Sequence, residues 1–250
     1  MTDILPEAEP FFMDGNDVAV LVLHGFTGTT QSMRYYGSEL HRRFGFTVSG
    51  PRLAGHGTSP DDMETTDHLD WLASAETALL ELTEQNKRIY VTGLSMGGTL
   101  ALNLAARFSD IICGVIPING PGGLLDGALA ELICDRNTPS RFPGIGSDIK
   151  AEGVQELAYE EVPLNCAQSV CLLVSVTGSL LHKISAPIFI IQSREDHVVP
   201  PQNAKIIAER VSSVETHSLW LENSYHVATL DNDKDLIVDR VGSFIRNSSA

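Results

Sequence analysis

Ile89-Tyr90-Val91-Thr92-Gly93-Leu94-Ser95-Met96-Gly97-Gly98-Thr99-Leu100 is the stretch whose reading decides the architecture. Its first four residues form a short apolar run of strand type. After it, Leu100, Ala101, Leu104, Ala105 and Phe108 recur at the spacing of one helix face. Between the two lies G-x-S-x-G. A serine handed directly from strand to helix sits on a sharp, strained turn that lifts its Oγ above the sheet. Glycines at 93 and 97 remove Cβ atoms that would collide across that turn. The helix N-terminus behind the serine adds partial positive charge where an oxyanion would develop. The stretch reads as a nucleophile, Ser95, on a strand–turn–helix unit, against the alternative of a glycine-flanked structural turn.

Outward from that unit, apolar runs alternate with helical patterns, the mark of an α/β chain with a mostly parallel sheet covered by helices on both faces. Val18–Leu23 is a continuous apolar run of buried-strand type, ending in the loop His24-Gly25-Phe26-Thr27-Gly28. A short strand near Phe46–Ser49 stops at Pro51. Asp67 caps an amphipathic helix to Gln85, with Leu72, Ala75, Leu79 and Leu82 on one face. Val115–Ile118 continues the sheet, although Pro117 speaks against a central strand there. Strand rhythm fades from Gly120 to Lys183, apart from an apolar helical segment between Cys166 and Leu181. It returns with Pro187–Ile191 and again near Thr216–Leu221. A helix after Pro201 and a last helix with Ile237, Val241, Phe244 and Ile245 complete the alternation. The organisation expected is one domain, with a core from 1–119 and 184–250 and a cap insertion over 120–183.

A serine nucleophile needs a base, and the base needs an orienting carboxylate. On this architecture the chain order is serine, acid, histidine, each on a loop after a strand. Of the eight histidines, His24, His41, His56 and His68 precede the serine, His182 precedes the late strands, and His217 lies inside a strand. His197 directly follows the candidate acid. His226, in Asn223-Ser224-Tyr225-His226, alone stands on a loop after the last strand. The acid belongs to Gln192–Pro200, where Glu195 and Asp196 both remain open. Two backbone N–H groups should form the oxyanion hole, those of Met96 and of Phe26 in the early loop. His24 is expected to hold that loop by hydrogen bonds.

The bulk composition narrows the partners. With 250 residues, 43% hydrophobic, the chain can bury a sizeable core. Its net charge of -15 argues against nucleic acid, whose binding depends on Lys and Arg neutralising phosphates. It also disfavours tight docking on anionic membranes. The N-terminal stretch lacks a signal peptide's basic and apolar regions, and no apolar run reaches the roughly 20 residues needed to span a bilayer. Cys113, Cys134, Cys166 and Cys171 show no metal-ligand spacing and read as free thiols of a cytoplasmic protein. No metal and no cofactor is expected. Monomer and homodimer stay open.

With these residues assembled, the chain resembles the small bacterial carboxylesterase and monoacylglycerol lipase family of α/β-hydrolases. The matching stretches are LVLHGFTGT (21–29), PRLAGHGTSPDDM (51–63), VTGLSMGGTLAL (91–102), EDHVVPPQNA (195–204) and NSYHVATLD (223–231). They agree in order and spacing along nearly the whole chain except the block from about 120 to 150. The resemblance implies the α/β-hydrolase fold, the triad Ser95, Asp196 and His226, an oxyanion hole at Phe26 and Met96, and a short cap over an apolar acyl pocket. It implies a small-molecule ester substrate of short to medium acyl chain, monoacylglycerols included. Related acid loops often carry glycine where this chain has Ser193. Val170 and Val174 could line the acyl tunnel or anchor the cap, and Glu156 is a possible partner for a glycerol hydroxyl. A thioesterase or acyltransferase on the same triad, or a slow-turnover ligand receptor, stays open.

Overall fold

The computed structural model describes residues 3–85 and 88–248, so Met1 and Thr2 of the N-terminal stretch lie outside it. In chain order the elements are β1 (Phe11–Met13), β2 (Val18–Leu23), α1 (Gln31–Phe44), β3 (Thr47–Gly50), α2 (Pro60–Glu64), α3 (His68–Thr83), β4 (Arg88–Leu94), α4 (Met96–Arg107) and β5 (Ile112–Ile118). After these come α5 (Gly127–Cys134), β6 (Arg141–Pro143), β7 (Glu161–Pro163), α6 (Leu164–Leu180), β8 (Ile188–Ser193), α7 (Gln202–Arg210), β9 (Thr216–Leu221) and α8 (Lys234–Ser248). The main sheet runs β1-β3-β2-β4-β5-β8-β9. Only β1 is antiparallel to its neighbour.

The period of two along each strand divides the core. In β2, Ala19, Leu21 and Leu23 face a cluster built with α3, α4, α6 and α7. Val18, Val20 and Val22 face the opposite cluster, built with α1 and α8. Every residue of β2 and β8 is buried, which is why these strands read as unbroken apolar runs rather than alternating ones. β9 lies at the sheet edge and keeps its first three residues exposed.

Pro117 does sit in a central strand. Its missing N–H faces β8 between the bonded amides of Val115 and Asn119, so the ladder lacks one bond there and pairs only at Val115 and Ile118. Between β5 and β8, the segment that lacks strand rhythm holds a two-stranded antiparallel ribbon, β6 with β7. Three residues per strand are too few for periodicity to register.

One expectation needs correcting. Leu164–Lys183 is a helical run of 20 residues with mean hydropathy 1.5, long and apolar enough by composition to cross a membrane. Serines, cysteines and a glycine interrupt its apolar residues, so no continuous run stands out in the sequence. Half of that run is buried in the structure. Its inner face packs on α3 and α4, and Asn103 Nδ2 donates to Thr177 Oγ1 at 3.0 Å across the α4–α6 contact.

Because β2, β4, β8 and β9 are parallel, the loops that follow them all emerge at one edge of the sheet. Ser95, Asp196, His226 and the 24–30 loop are brought together for that reason. The start of α3 is closed locally: Leu69 N–H donates to the Asp67 carboxylate at 2.7 Å, while Asp67 N–H donates to Asp70 at 3.0 Å. Asp67→Ala should therefore lower stability by about 1 kcal/mol. The measurement is the urea midpoint, and an unchanged midpoint would mean the reciprocal cap contributes nothing.

Candidate active site

Ser95 occupies the turn between β4 and α4 with φ of 56°, a left-handed conformation that costs a residue with a side chain. Neighbouring packing holds it there. A Cβ at Gly93 would land on the Gly97 carbonyl, and one at Gly97 on the main chain of Leu23 and His24. Only glycine lets β2, β4 and α4 approach so closely. Ser95 N–H donates to Ile118 O at 2.9 Å, tying the turn to β5.

Ser95 Oγ lies 2.9 Å from His226 Nε2. On its other side the imidazole Nδ1 stands 3.0 Å from each oxygen of Asp196. The His226 and Asp196 side chains are 4% and 0% exposed, so the imidazole–carboxylate pair is shielded from bulk water. Asp196 also accepts from Val198 N–H at 3.0 Å, Val199 N–H at 2.8 Å and Gln192 Nε2 at 3.2 Å. Burial opposes its charge, but the imidazole and these donors prevail and hold the carboxyl below the usual carboxylate value. Burial likewise opposes charge on His226, yet Asp196, with Glu156 and Asp148, raises its pKa above the ordinary value.

Of the two adjacent acids that composition left open, the structure turns Asp196 to the imidazole and Glu195 outward, where it pairs with Lys150 at 3.0 Å. His197 points to Asp148, and His217 lies exposed on β9.

The early loop closes on the serine from the side. A Cβ added at Gly25 would come 3.3 Å from Ser95 Cβ. His24 is fully buried, and burial lowers its pKa to about 4. Leu53 N–H donates to its Nε2 at 3.2 Å, so the proton resides on Nδ1, which donates to Gly25 O at 2.9 Å. That bond fixes the peptide leading into Phe26. The Phe26 ring rests against Trp71, with centroids 5.6 Å apart. Met96, the other expected donor, is the first residue of α4, where an amide has no intrahelical acceptor.

Asn119 and Ser193 join the three loops, and of the two Asn119 was not singled out in the sequence. Asn119, buried and at φ of 46°, donates through Nδ2 to His226 O at 2.7 Å and to Ser193 Oγ at 3.0 Å. Its Oδ1 accepts from Ser193 N–H at 2.7 Å. Ser193 donates its hydroxyl to Tyr225 O at 2.8 Å, so it cross-links the acid loop to the histidine loop. A polar residue directly after the buried strand β5 was the available signal for Asn119.

Ser95 and His226 open into a mostly apolar cavity. Val170 and Val174 of α6 form part of its wall, with Leu124, Leu129, Phe142 and Ile145 from the segment between β5 and α6. Glu156 also lines it, close enough to Gly28 that a Cβ there would stand 2.6 Å from Glu156 Oε1. Glu156 is partly buried, and burial raises its carboxyl pKa to about 7 against the pull of His226 and Ser32. The arrangement can move a proton from the serine hydroxyl to a lone pair on Nε2 while Oγ adds to an electrophilic carbon held in the cavity.

The model of the alpha/beta hydrolase family matches residues 20–240. The chain is 45% identical to a thermostable monoacylglycerol lipase of Bacillus sp. (strain H-257), covering 95% of this chain and 94% of that protein. It is 32% identical to a carboxylesterase of Bacillus subtilis (strain 168), covering 95% and 96%. A solved structure from work on LipS and LipT, two metagenome-derived lipolytic enzymes, superposes with a TM-score of 0.94 at 46% identity, covering 98% of this chain and all of that one.

The surroundings of His226 set an expectation for its titration. Followed by the NMR shift of its ring protons, the His226 midpoint should lie above the ordinary histidine value and fall in Asp196→Asn. A midpoint at or below the ordinary value in the unaltered protein would contradict the charge balance described.

Proposed function

This chain belongs to the alpha/beta hydrolase family and is a carboxylic ester hydrolase, and on that premise we propose that it acts through a Ser95–His226–Asp196 triad and an acyl-enzyme. The observation that carries the reading is the unbroken path from Ser95 Oγ through the imidazole to a fully buried carboxylate, opening into an apolar cavity. Ser95 Oγ attacks the ester carbonyl as its proton passes to His226 Nε2. The N–H groups of Phe26 and Met96 receive the oxyanion. As the intermediate collapses, the imidazolium returns the proton to the departing alcohol, leaving Ser95 acylated. Water then repeats the sequence, losing its proton to His226 and releasing the acid. Asp196 keeps the Nδ1 proton in place and stabilises the imidazolium without taking the proton itself.

The proposed substrates are esters of short to medium acyl chain, monoacylglycerols among them. Residues 120–183 act as a cap on the core formed by 1–119 and 184–250. Val170 and Val174 meet the acyl chain, while Glu156 meets a hydroxyl of the alcohol. A carboxyl that titrates near neutrality can accept from a hydroxyl or donate to one, which suits a polyol.

Ser95→Ala should lose at least ~10³-fold in kcat while folding normally, and a fluorophosphonate should label the protein once, at Ser95. Asp196→Asn should be crippled and Glu195→Gln close to unaltered. Labelling at another residue, or exchanged behaviour of the two acid variants, would overturn the assignment.

Acyl-chain preference follows from the pocket wall. Each buried methylene is worth about 0.8 kcal/mol, so kcat/KM should rise about fourfold per methylene until the cavity is full, then fall. Glu156→Gln should raise KM for monoacylglycerols more than for p-nitrophenyl esters of the same chain. Emulsified triacylglycerols cleaved as fast as monoacylglycerols would show that the cap does not restrict the site to one chain.

A further inference from the structure

Loop 147–151 of the inserted segment touches both loops that carry the acid and the histidine. Asp148, 16% exposed, is its central residue. One carboxylate oxygen, Oδ2, accepts from His226 N–H at 3.1 Å and from His197 N–H at 3.3 Å. The other, Oδ1, meets His197 Nδ1 at 2.8 Å. The Asp148 carbonyl accepts from Val227 N–H at 3.0 Å.

His226 is thus held by its main chain on both sides. Asp148 takes its N–H, and Asn119 donates to its C=O at 2.7 Å. With the backbone fixed, only the side-chain torsions remain, and the bonds to Ser95 and Asp196 use those. We propose that Asp148 is a positioning residue for His226: its carboxylate sets the height of the catalytic imidazole between Ser95 and Asp196. The proposal rests on the triad reading given above.

A second carboxylate separates this role from simple loop docking. Asp231, 1% exposed, accepts from Lys150 N–H at 2.7 Å and Ala151 N–H at 2.9 Å, and from Tyr225 N–H at 2.8 Å. Lys150 adds its ion pair with Glu195. None of these bonds involves Asp148, so altering Asp148 removes its bonds to His226 and His197 and leaves those of Asp231 in place. Asp148 also lies on the same stretch as Ile145 and Glu156 of the pocket wall.

The test uses the full chain and a soluble short-chain p-nitrophenyl ester. A drift of about 1 Å in a catalytic group can cost about 10²-fold in rate. Asp148→Ala should accordingly lose about 10²-fold in kcat, with KM within about threefold of the unaltered protein. Phosphonylation of Ser95 by a fluorophosphonate should slow in parallel. Asp148→Asn, whose amide oxygen still accepts from His226 N–H, should recover most of the loss. Lys150→Ala should leave kcat unchanged. Should Asp148→Ala not fold, Asp148→Glu takes its place, with kcat reduced and the thermal midpoint near that of the unaltered protein. The proposal is overturned if Asp148→Ala keeps its kcat, if Asp148→Asn is no better than Asp148→Ala, or if Lys150→Ala costs as much. Failure of the triad reading itself would show differently, as retained activity in Ser95→Ala.

Discussion

A serine held at φ of 56° between β4 and α4 is the constraint on which the rest of the molecule depends. Such a conformation costs about 1–3 kcal/mol and persists only where surrounding packing over-determines it. Here α4 supplies that packing, since Met96 through Ala106 are all buried. Burying one leucine side chain contributes about 1.5–3 kcal/mol, so Leu100, Leu102 and Leu104 together outweigh the strain. The turn cannot relax without lifting α4 from the sheet. On the role proposed for Ser95, function and core stability are coupled through the same helix.

The second requirement is electrostatic. The Asp196 side chain is removed from water, and a lone carboxylate there would take up a proton. Two backbone amides, the Gln192 side chain and the imidazole keep it ionised. These partners come from its own loop and the end of its own strand, with the exception of His226. The histidine loop is fixed from elsewhere, by Asn119 at the end of β5 and by Asp148 between β6 and β7. A buried polar network of this kind holds only when each member is satisfied. Ser193, bonded to Asn119 and to Tyr225 O, meets that requirement.

The segment between β5 and β8 has two physical characters. Its helix α6 packs on α3 and α4, and much of its inner face belongs to the same apolar cluster as the sheet. The remainder, α5 and the β6–β7 ribbon with their loops, is half-buried and forms the outer wall of the cavity. Polar contacts at Asp148 and Asp231 seat one part of that wall, while apolar contact seats the other.

Much of the fold was legible in the sequence because its causes are local. The apolar runs at Val18–Leu23 and Ile188–Ile191, the Asp67 cap and the glycines flanking Ser95 each follow from residues a few positions apart. Parallel strands then place the chain-order set of Ser95, the acid loop and His226 at one sheet edge. What the sequence left open concerned distance through space: which of Glu195 and Asp196 faces the imidazole, whether Leu164–Lys183 packs inward, and what Asn119 and Ser193 touch. The choice between adjacent carboxylates turns on which one meets a histidine 30 residues away and which meets Lys150. Asp148 reaches a backbone amide 78 residues along the chain. Such bonds have no periodicity and no spacing rule, because their partners become neighbours only once the sheet has brought separate loops together.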